Sequence, residues 1–146
     1  MNAVVLVQDK DRKAFLDLGA RFGFVARVAD VLDFAERTRV LLVRHEPSGI
    51  DADIVFAGLA FEEEAIGRSR QIDVADVSLP LPTAEDLIVM KAVADRPRDM
   101  ADIEAVLDAN PEVDLGRVRR WLHEFSSALD SSEMLEEFER IVSRRR

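Results

Sequence analysis

The segments TAEDLIVMK, at residues 83–91, and RPRDMADI, at residues 96–103, mark the point where the sequence changes from mixed strand and helix patterns to helix patterns alone. The first segment opens with a threonine and carries an aspartate three residues later, which is the form of a helix-capping box and predicts a helix. The proline of the second segment disfavours helical backbone in the residue before it and suits the first turn of a new helix. Two further stretches follow with apolar residues at helical spacing. We therefore predict four helices and assign residues 81–146 to a helical C-terminal region.

The residues before this region alternate between strand and helix patterns. Ala3–Val7 is a short apolar run typical of a buried strand, and a helical pattern follows it as far as Gly23. Phe24–Val28 favours a second strand. Val40–Val43 and Ile54–Phe56 are separated by a loop that contains proline and glycine, and together they predict a β-hairpin.

Three weaker signals complete the first half of the chain. Asp30–Glu36 predicts a brief helix, and Phe61–Arg68 predicts another with acidic residues in its first turn, where the helix dipole favours them. The apolar residues between Ile72 and Leu79 indicate one further, weaker strand. We therefore predict an α/β (α+β) fold class, with an α/β core at residues 1–80 ahead of the helical region.

Composition excludes several functional classes. The chain has 146 residues, with 20 lysines and arginines against 29 aspartates and glutamates, which gives a net charge of −9. An acidic surface repels phosphate backbones, so we expect no broad binding to DNA. No apolar run approaches the roughly 20 residues of a membrane helix, and no secretory signal is evident, so we expect no membrane association and a cytoplasmic location. The lack of cysteine excludes disulfides, thiolate zinc sites and a cysteine nucleophile.

Basic residues nevertheless cluster in two places. Arg117, Arg119 and Arg120 lie close together, and Arg140 precedes a run of arginines at 144–146. The favoured interpretation is that these cations solvate helix faces and complement helix C-termini. A local nucleic-acid contact is the alternative.

Two aspartates open the second strand of the predicted hairpin. Because side chains alternate along a strand, Asp51 and Asp53 are expected on one face of the sheet. Acids near a turn are commonly no more than solvated surface. The functional alternative is a Mg²⁺ site, since hard cations prefer carboxylate oxygens and a polyphosphate substrate supplies further ligands.

A charged cluster occupies the boundary between the first two predicted helices. Helical spacing puts Lys91 beside the inward apolar face, and Arg96, Arg98, Asp99 and Asp102 follow closely. One interpretation is an ion-pair network that locks the two helices together. The other is an anion pocket in which Lys91 and an arginine contact phosphate groups through charge-assisted hydrogen bonds.

The two segments quoted first, together with DADIVF at residues 51–56, resemble a bacterial nucleotidyltransferase-like family. That family includes the AbiEii-type toxins of type IV toxin–antitoxin systems and small uncharacterised relatives. The resemblance implies a polymerase-beta-like nucleotidyltransferase core with a mixed sheet, followed by helices. It also implies transfer of a nucleotidyl group from a nucleoside triphosphate to a hydroxyl, with RNA or another macromolecule as the acceptor in toxin members.

The same resemblance implies roles for particular residues. Asp53, with Asp51 beside it, maps to a Mg²⁺ ligand, and Lys91 maps to a catalytic phosphate contact. Arg96, Arg98 and Asp99 map to the helix junction that lines the nucleotide pocket. In the family, three carboxylates bind the metal and the Lys and Arg positions hold the nucleoside triphosphate.

The chain departs from the family at its first strand. The family has a Gly-Ser loop and an Asp-x-Asp strand, but the strand that matches here is Ala3–Val7, and Asn2 stands at about the position of the second acid. We expect either a shortened version of a longer enzyme or a degenerate member without the reaction. The alternative from another class is a non-catalytic nucleotide-binding or protein-interaction module, with a nucleotide, RNA or a cognate antitoxin protein as partner. A third possibility is an ordinary small domain whose charged junction is an ion-pair network.

Overall fold

The computed structural model describes residues 1–145, apart from the side chain at position 97, as a mixture of helices and strands. This confirms the α/β (α+β) class. The chain divides into two units, Met1–Gly67 and Arg68–Arg146. Within the described residues, no helix is both long enough and apolar enough to cross a bilayer.

The first unit is built around a four-stranded mixed sheet. Its elements are β1 (Asn2–Val5), α1 (Arg12–Ala20), β2 (Phe24–Ala26), α2 (Val31–Thr38), β3 (Val40–His45), β4 (Ile50–Phe56) and α3 (Ala60–Arg68). The strand order is β1-β4-β3-β2, with β1 parallel to β4 and with β3 antiparallel to both β4 and β2. The predicted hairpin is therefore confirmed as β3 and β4.

One face of this sheet forms the core of the unit. Leu41 and Val43 of β3 and Ala52 and Phe56 of β4 are buried there, and Phe15 of α1 packs edge-on against Phe56. Because strand side chains alternate, the opposite face carries the intervening residues. We call this opposite side the polar face and define it by Asn2, Arg27, Arg44, Asp51 and Asp53.

Helix α1 ends at Ala20, three residues before the glycine predicted to stop it. Gly23 instead completes the turn that leads into β2, with φ of +85°. A Cβ at this position would come within 2.9 Å of the Pro47 ring, so both the backbone conformation and the close approach require glycine.

The second unit contains a hairpin and four helices. They are β5 (Arg70–Val74), β6 (Val77–Leu81), α4 (Ala84–Ala94), α5 (Pro97–Ala109), α6 (Leu115–Leu129) and α7 (Glu133–Arg144). The four predicted helices are all present. The prediction of one weak strand between Ile72 and Leu79 is wrong, because the chain reverses at Ala75 and Asp76 and forms two antiparallel strands.

The helices of this unit enclose their own apolar core. Every helix contributes side chains that are almost completely buried: Ile88 and Val89 of α4, Ile103 of α5, Val118 and Leu122 of α6, and Phe138 and Ile141 of α7. The predicted cap is confirmed, since the Thr83 hydroxyl accepts a hydrogen bond from the Asp86 amide at 3.3 Å. Pro97 occupies the first turn of α5, as its fixed backbone angle favours.

Candidate functional site

The first group of candidate residues lies on the polar face in the first unit. Asn2 of β1 is the register partner of Asp53 on β4, and Asp53 is in turn opposite Leu42 of β3. The Arg27 amide donates a hydrogen bond to the carbonyl of the same Leu42 at 3.0 Å, so Arg27 lies beside β3. Neighbouring strands lie about 4.8 Å apart, so the side chains of Asn2 and Asp53 are adjacent.

Arginines contact both carboxylates of this face. The Arg27 guanidinium donates to Asp53, and its Nη1 lies 3.4 Å from Asp51 Oδ2. Arg44, the register partner of Asp51, donates from Nε to Asp51 Oδ1 at 2.6 Å. This hydrogen bond holds the pKa of Asp51 below its usual value and raises the pKa of Arg44. The two carboxylates thus share a face, as predicted, and two guanidinium groups balance their charge.

The polar face supplies some of what a magnesium ion needs. Asp53, Asp51 and the Asn2 amide oxygen are hard oxygen donors of the kind that Mg²⁺ prefers. Arg27, however, competes with any cation for Asp53. Among the described residues, no group of three or more histidine, cysteine, aspartate or glutamate side chains is arranged to hold a metal. Two carboxylates and one amide are enough for one weakly held cation at most, and they do not fit a two-metal centre.

The second group of candidate residues lies where α4 meets α5, in the second unit. Lys91, in the last turn of α4, has its Nζ 2.5 Å from Asp102 Oδ2 and 3.5 Å from Asp99 Oδ1. Its side chain is only 20% exposed, whereas that of Asp102 is 50% exposed. A lysine this enclosed needs a partner, and the two aspartates of α5 provide it.

Asp99 is the centre of this junction. Its carboxylate is fully buried and accepts two hydrogen bonds from the Arg96 guanidinium, from Nε at 2.6 Å and from Nη2 at 3.1 Å. It also accepts from the Arg96 amide at 3.3 Å, which caps the start of α5. These bonds from Arg96, with Lys91 nearby, lower the pKa of Asp99. The aspartate therefore joins the lysine of one helix to the first turn of the next.

Arg98 differs from the other cations of the junction. It is exposed on α5, and its side chain forms no hydrogen bond or ion pair with any residue in the part of the chain that the structure describes. Lys91 and Arg96 are committed to Asp99 and Asp102, so Arg98 is the junction cation that an incoming anion meets without first breaking an ion pair.

Sequence reasoning missed the most deeply buried ion pair. Asp86 is fully buried, and its Oδ1 accepts from Arg117 Nη2 at 2.7 Å and from Nε at 3.0 Å. Arg68, the first residue of the second unit, has its Nε 3.5 Å from Asp86 Oδ2. Asp86 matched the capping-box pattern, but its carboxylate turns instead toward a residue 31 positions away.

The arginines considered as a nucleic-acid contact have partners of their own. Arg117 is committed to Asp86, Arg119 forms a two-bond pair with Glu139 at 2.6 and 3.1 Å, and the Arg120 guanidinium lies 5.0 Å from the centre of the Trp121 ring. These contacts favour a role in helix packing for the cluster.

Comparison of the chain with protein-family models gives no match, and comparison with curated proteins gives none either. The nucleotidyltransferase resemblance therefore stays a prediction that rests on the residues quoted above.

Proposed function

We propose that this chain is a nucleotidyltransferase-like protein that binds a nucleoside triphosphate together with Mg²⁺. The observation that carries the proposal is the register between Asn2 and Asp53. The family resemblance maps Asp53 to a metal ligand and the Asn2 position to a second acid, and β1 and β4 put these two positions side by side. The mixed sheet, with a buried apolar face and a charged opposite face, supports a polymerase-beta-like core.

The second unit has a candidate phosphate contact of its own. Lys91 and Arg98 carry the positive charge, and a nucleotide phosphate replaces Asp102 as a partner of Lys91. Because the Asp102 side chain is half exposed, it can leave this ion pair for water at little cost. Asp99 is buried and doubly bonded to Arg96, so it stays in place and holds the helix junction.

The residue opposite Asp53 decides between binding and catalysis. Nucleotidyl transfer joins the acceptor hydroxyl oxygen to the α-phosphorus while the bond to pyrophosphate breaks. Mg²⁺, when bound, neutralises charge on the phosphates. With an amide at Asn2 and Arg27 paired to Asp53, the present residues support nucleotide binding and little turnover. We expect transfer to an acceptor, RNA or a cognate antitoxin protein, only when a second carboxylate lies opposite Asp53.

The direct test is calorimetric titration of the full chain with ATP, CTP, GTP and UTP in the presence of Mg²⁺. We expect binding of at least one nucleotide, with affinity lowered about tenfold or more by Lys91→Ala, since one charge-assisted bond to phosphate contributes about 1.5–3 kcal/mol. Arg98→Ala lowers affinity without a loss of stability, because this side chain has no ion pair to lose in the described structure.

Lys13→Ala is the matched control. Lys13 is also paired with an aspartate, Asp17, at 2.6 Å, but on an exposed surface of α1. This variant leaves nucleotide affinity unchanged. Failure of the chain to bind any of the four nucleotides contradicts the proposal.

The alternative is an ordinary small domain whose charged junction is only an ion-pair network. The observation that favours it is that Lys91, Arg96, Asp51 and Asp53 all have ion-pair partners within the protein. In that case Lys91→Ala lowers the free energy of unfolding and no nucleotide titration gives heat beyond dilution.

A further inference from the structure

The hairpin of the second unit has a half-exposed apolar face. Ile72 is the register partner of Leu79, Val74 of Val77 and Arg70 of Leu81, so these six side chains share one side of the ribbon. The five apolar members of this set, which we call the hairpin face, are 42–56% exposed. The side chains of Gln71, Asp73 and Ser78 lie on the other side.

Such a face is costly to leave in water. An isolated two-stranded ribbon is only marginally stable, and it ordinarily needs a third strand or a packed layer. Each square ångström of apolar surface removed from water contributes about 25 cal/mol. A row of five half-exposed apolar side chains on one ribbon is therefore typical of a surface that another surface covers.

The charges at the two ends of the ribbon indicate what covers it. Arg70 lies at the open end of the ribbon, and Asp76 lies in the turn at the other end. Within residues 1–145, neither of these side chains forms a hydrogen bond or an ion pair. An apolar strip with a free cation at one end and a free anion at the other is complementary to itself after a two-fold rotation.

We propose that the hairpin face packs against the hairpin face of a second copy of this chain, with the two ribbons antiparallel about a two-fold axis. In this arrangement, Arg70 of each copy lies over Asp76 of the other, and Ile72, Val74, Val77 and Leu79 form the apolar centre. The contact is isologous, so it closes as a dimer and does not propagate. It is independent of any nucleotide.

Face-to-face packing is favoured over pairing of strand edges. Pro80 in β6 has no amide hydrogen, so that strand offers an interrupted ladder to a neighbouring strand. The buried area is also modest, because five half-exposed side chains cover less than the roughly 800 Å² per partner of a standard interface. We therefore expect a weak dimer whose population rises with concentration across the micromolar range.

Sedimentation velocity of the full chain over a range of concentrations tests the surface. Val77→Lys places a charge in the hairpin face, whereas Ser78→Lys places the same charge on the opposite side of the same strand. We expect a concentration-dependent rise in sedimentation coefficient for the wild type and for Ser78→Lys, and loss of that rise for Val77→Lys. Circular dichroism verifies that both variants fold.

Charge reversal tests the antiparallel orientation. Arg70→Asp leaves an acid at both ends of the hairpin face and Asp76→Arg leaves a cation at both ends, so each variant alone repels its own copies. A mixture of the two variants associates again, because each supplies the charge that the other lacks. A wild type that stays monomeric at every concentration, association that survives Val77→Lys, or a mixture that associates no better than its components overturns the proposal.

Discussion

Asn2 and Asp53 lie directly opposite each other on the adjacent parallel strands β1 and β4. The Met1 carbonyl accepts a hydrogen bond from the Asp53 amide at 2.9 Å, and the terminal amine donates to the Asp51 carbonyl at 2.7 Å, so this register is fixed at the very start of β1. An amide and a carboxylate therefore stand side by side where the family resemblance implies two acids.

Arg27 is predicted to limit cation binding at the polar face. Arg27→Ala removes the guanidinium that contacts both Asp51 and Asp53, so Mg²⁺ affinity rises several-fold in a calorimetric titration. The free energy of unfolding changes by less than about 1 kcal/mol, because the pairs are partly exposed. Arg44→Ala is the control, since it removes one partner of Asp51 but leaves Arg27 in contact with both carboxylates. A large loss of stability with unchanged Mg²⁺ affinity would show that Arg27 is purely structural.

The Asp86–Arg117 pair is predicted to be the most sensitive polar contact of the second unit. Arg117→Met leaves Arg68, at 3.5 Å, as the remaining described ion-pair partner of the buried Asp86 carboxylate, and we expect a loss of about 3–5 kcal/mol in urea unfolding. The double variant Asp86→Leu with Arg117→Met recovers most of this loss, because no charge is then left buried. A single-variant loss below about 1 kcal/mol would contradict this description.

Glu62 is predicted to make stability depend on pH in the acid range. Burial alone would raise the pKa of this carboxyl, but hydrogen bonds from Arg39 and from the Gly58 and Leu59 amides outweigh burial and lower the pKa. A lowered pKa in the folded state means that Glu62 stabilises the protein fully above its ordinary pKa of 4.5. That contribution is lost as the pH falls through the lowered value.

The measurement is urea unfolding of the wild type and Glu62→Gln across this pH range. The difference in unfolding free energy is largest near neutral pH and shrinks as the solution is acidified. The exposed neighbour Glu63 provides the control, Glu63→Gln, for which the difference is small at every pH. A Glu62→Gln difference that does not change with pH contradicts the prediction.

The turn between β5 and β6 is predicted to be strained at one residue. Ala75 has φ of +53°, in the left-handed region where a Cβ costs about 1 kcal/mol, so Ala75→Gly stabilises the protein by about that amount. The matched control is Ala105→Gly, an exposed position within α5, where the same replacement destabilises by about 1 kcal/mol. Thermal unfolding that moves in the same direction for both variants argues against strain in the turn.

Elements with strong periodicity were predictable from the sequence, and contacts between distant residues were not. The four helices and the β3–β4 hairpin follow from apolar spacing and from proline and glycine at their boundaries. The β5–β6 hairpin was missed because its turn, Ala75-Asp76, has neither glycine nor asparagine. Large apolar residues alternate within each strand, but Val74 and Val77 are three positions apart, and this shift of phase is the signal that could have revealed the turn.

In the candidate site too, the features set by local periodicity were predictable and the contacts between distant residues were not. That Asp51 and Asp53 share a face follows from strand periodicity alone. Their partner Arg27 lies 24 and 26 positions earlier in the chain, on the segment after Gly23. No local sequence pattern predicts an ion pair over that separation. The ion pairs of Lys91 were one of the two interpretations open at the sequence level, because Asp99 and Asp102 follow it closely. Arg117 was noted as a surface cation and is instead the partner of a buried acid.

The most direct test of a nucleotide site at Asp53 is calorimetric titration of Asn2→Asp with nucleoside triphosphate and Mg²⁺. Carboxylates at directly opposite positions on β1 and β4 repel each other without a cation, so this variant is less stable than the wild type in metal-free buffer and regains stability with Mg²⁺. We predict that Asn2→Asp binds the Mg²⁺-nucleotide about tenfold more tightly than the wild type, a difference of about 1.4 kcal/mol, and that adding Asp53→Asn abolishes this gain. Equal affinity in Asn2→Asp and the wild type, or a gain that persists without Asp53, would contradict the account.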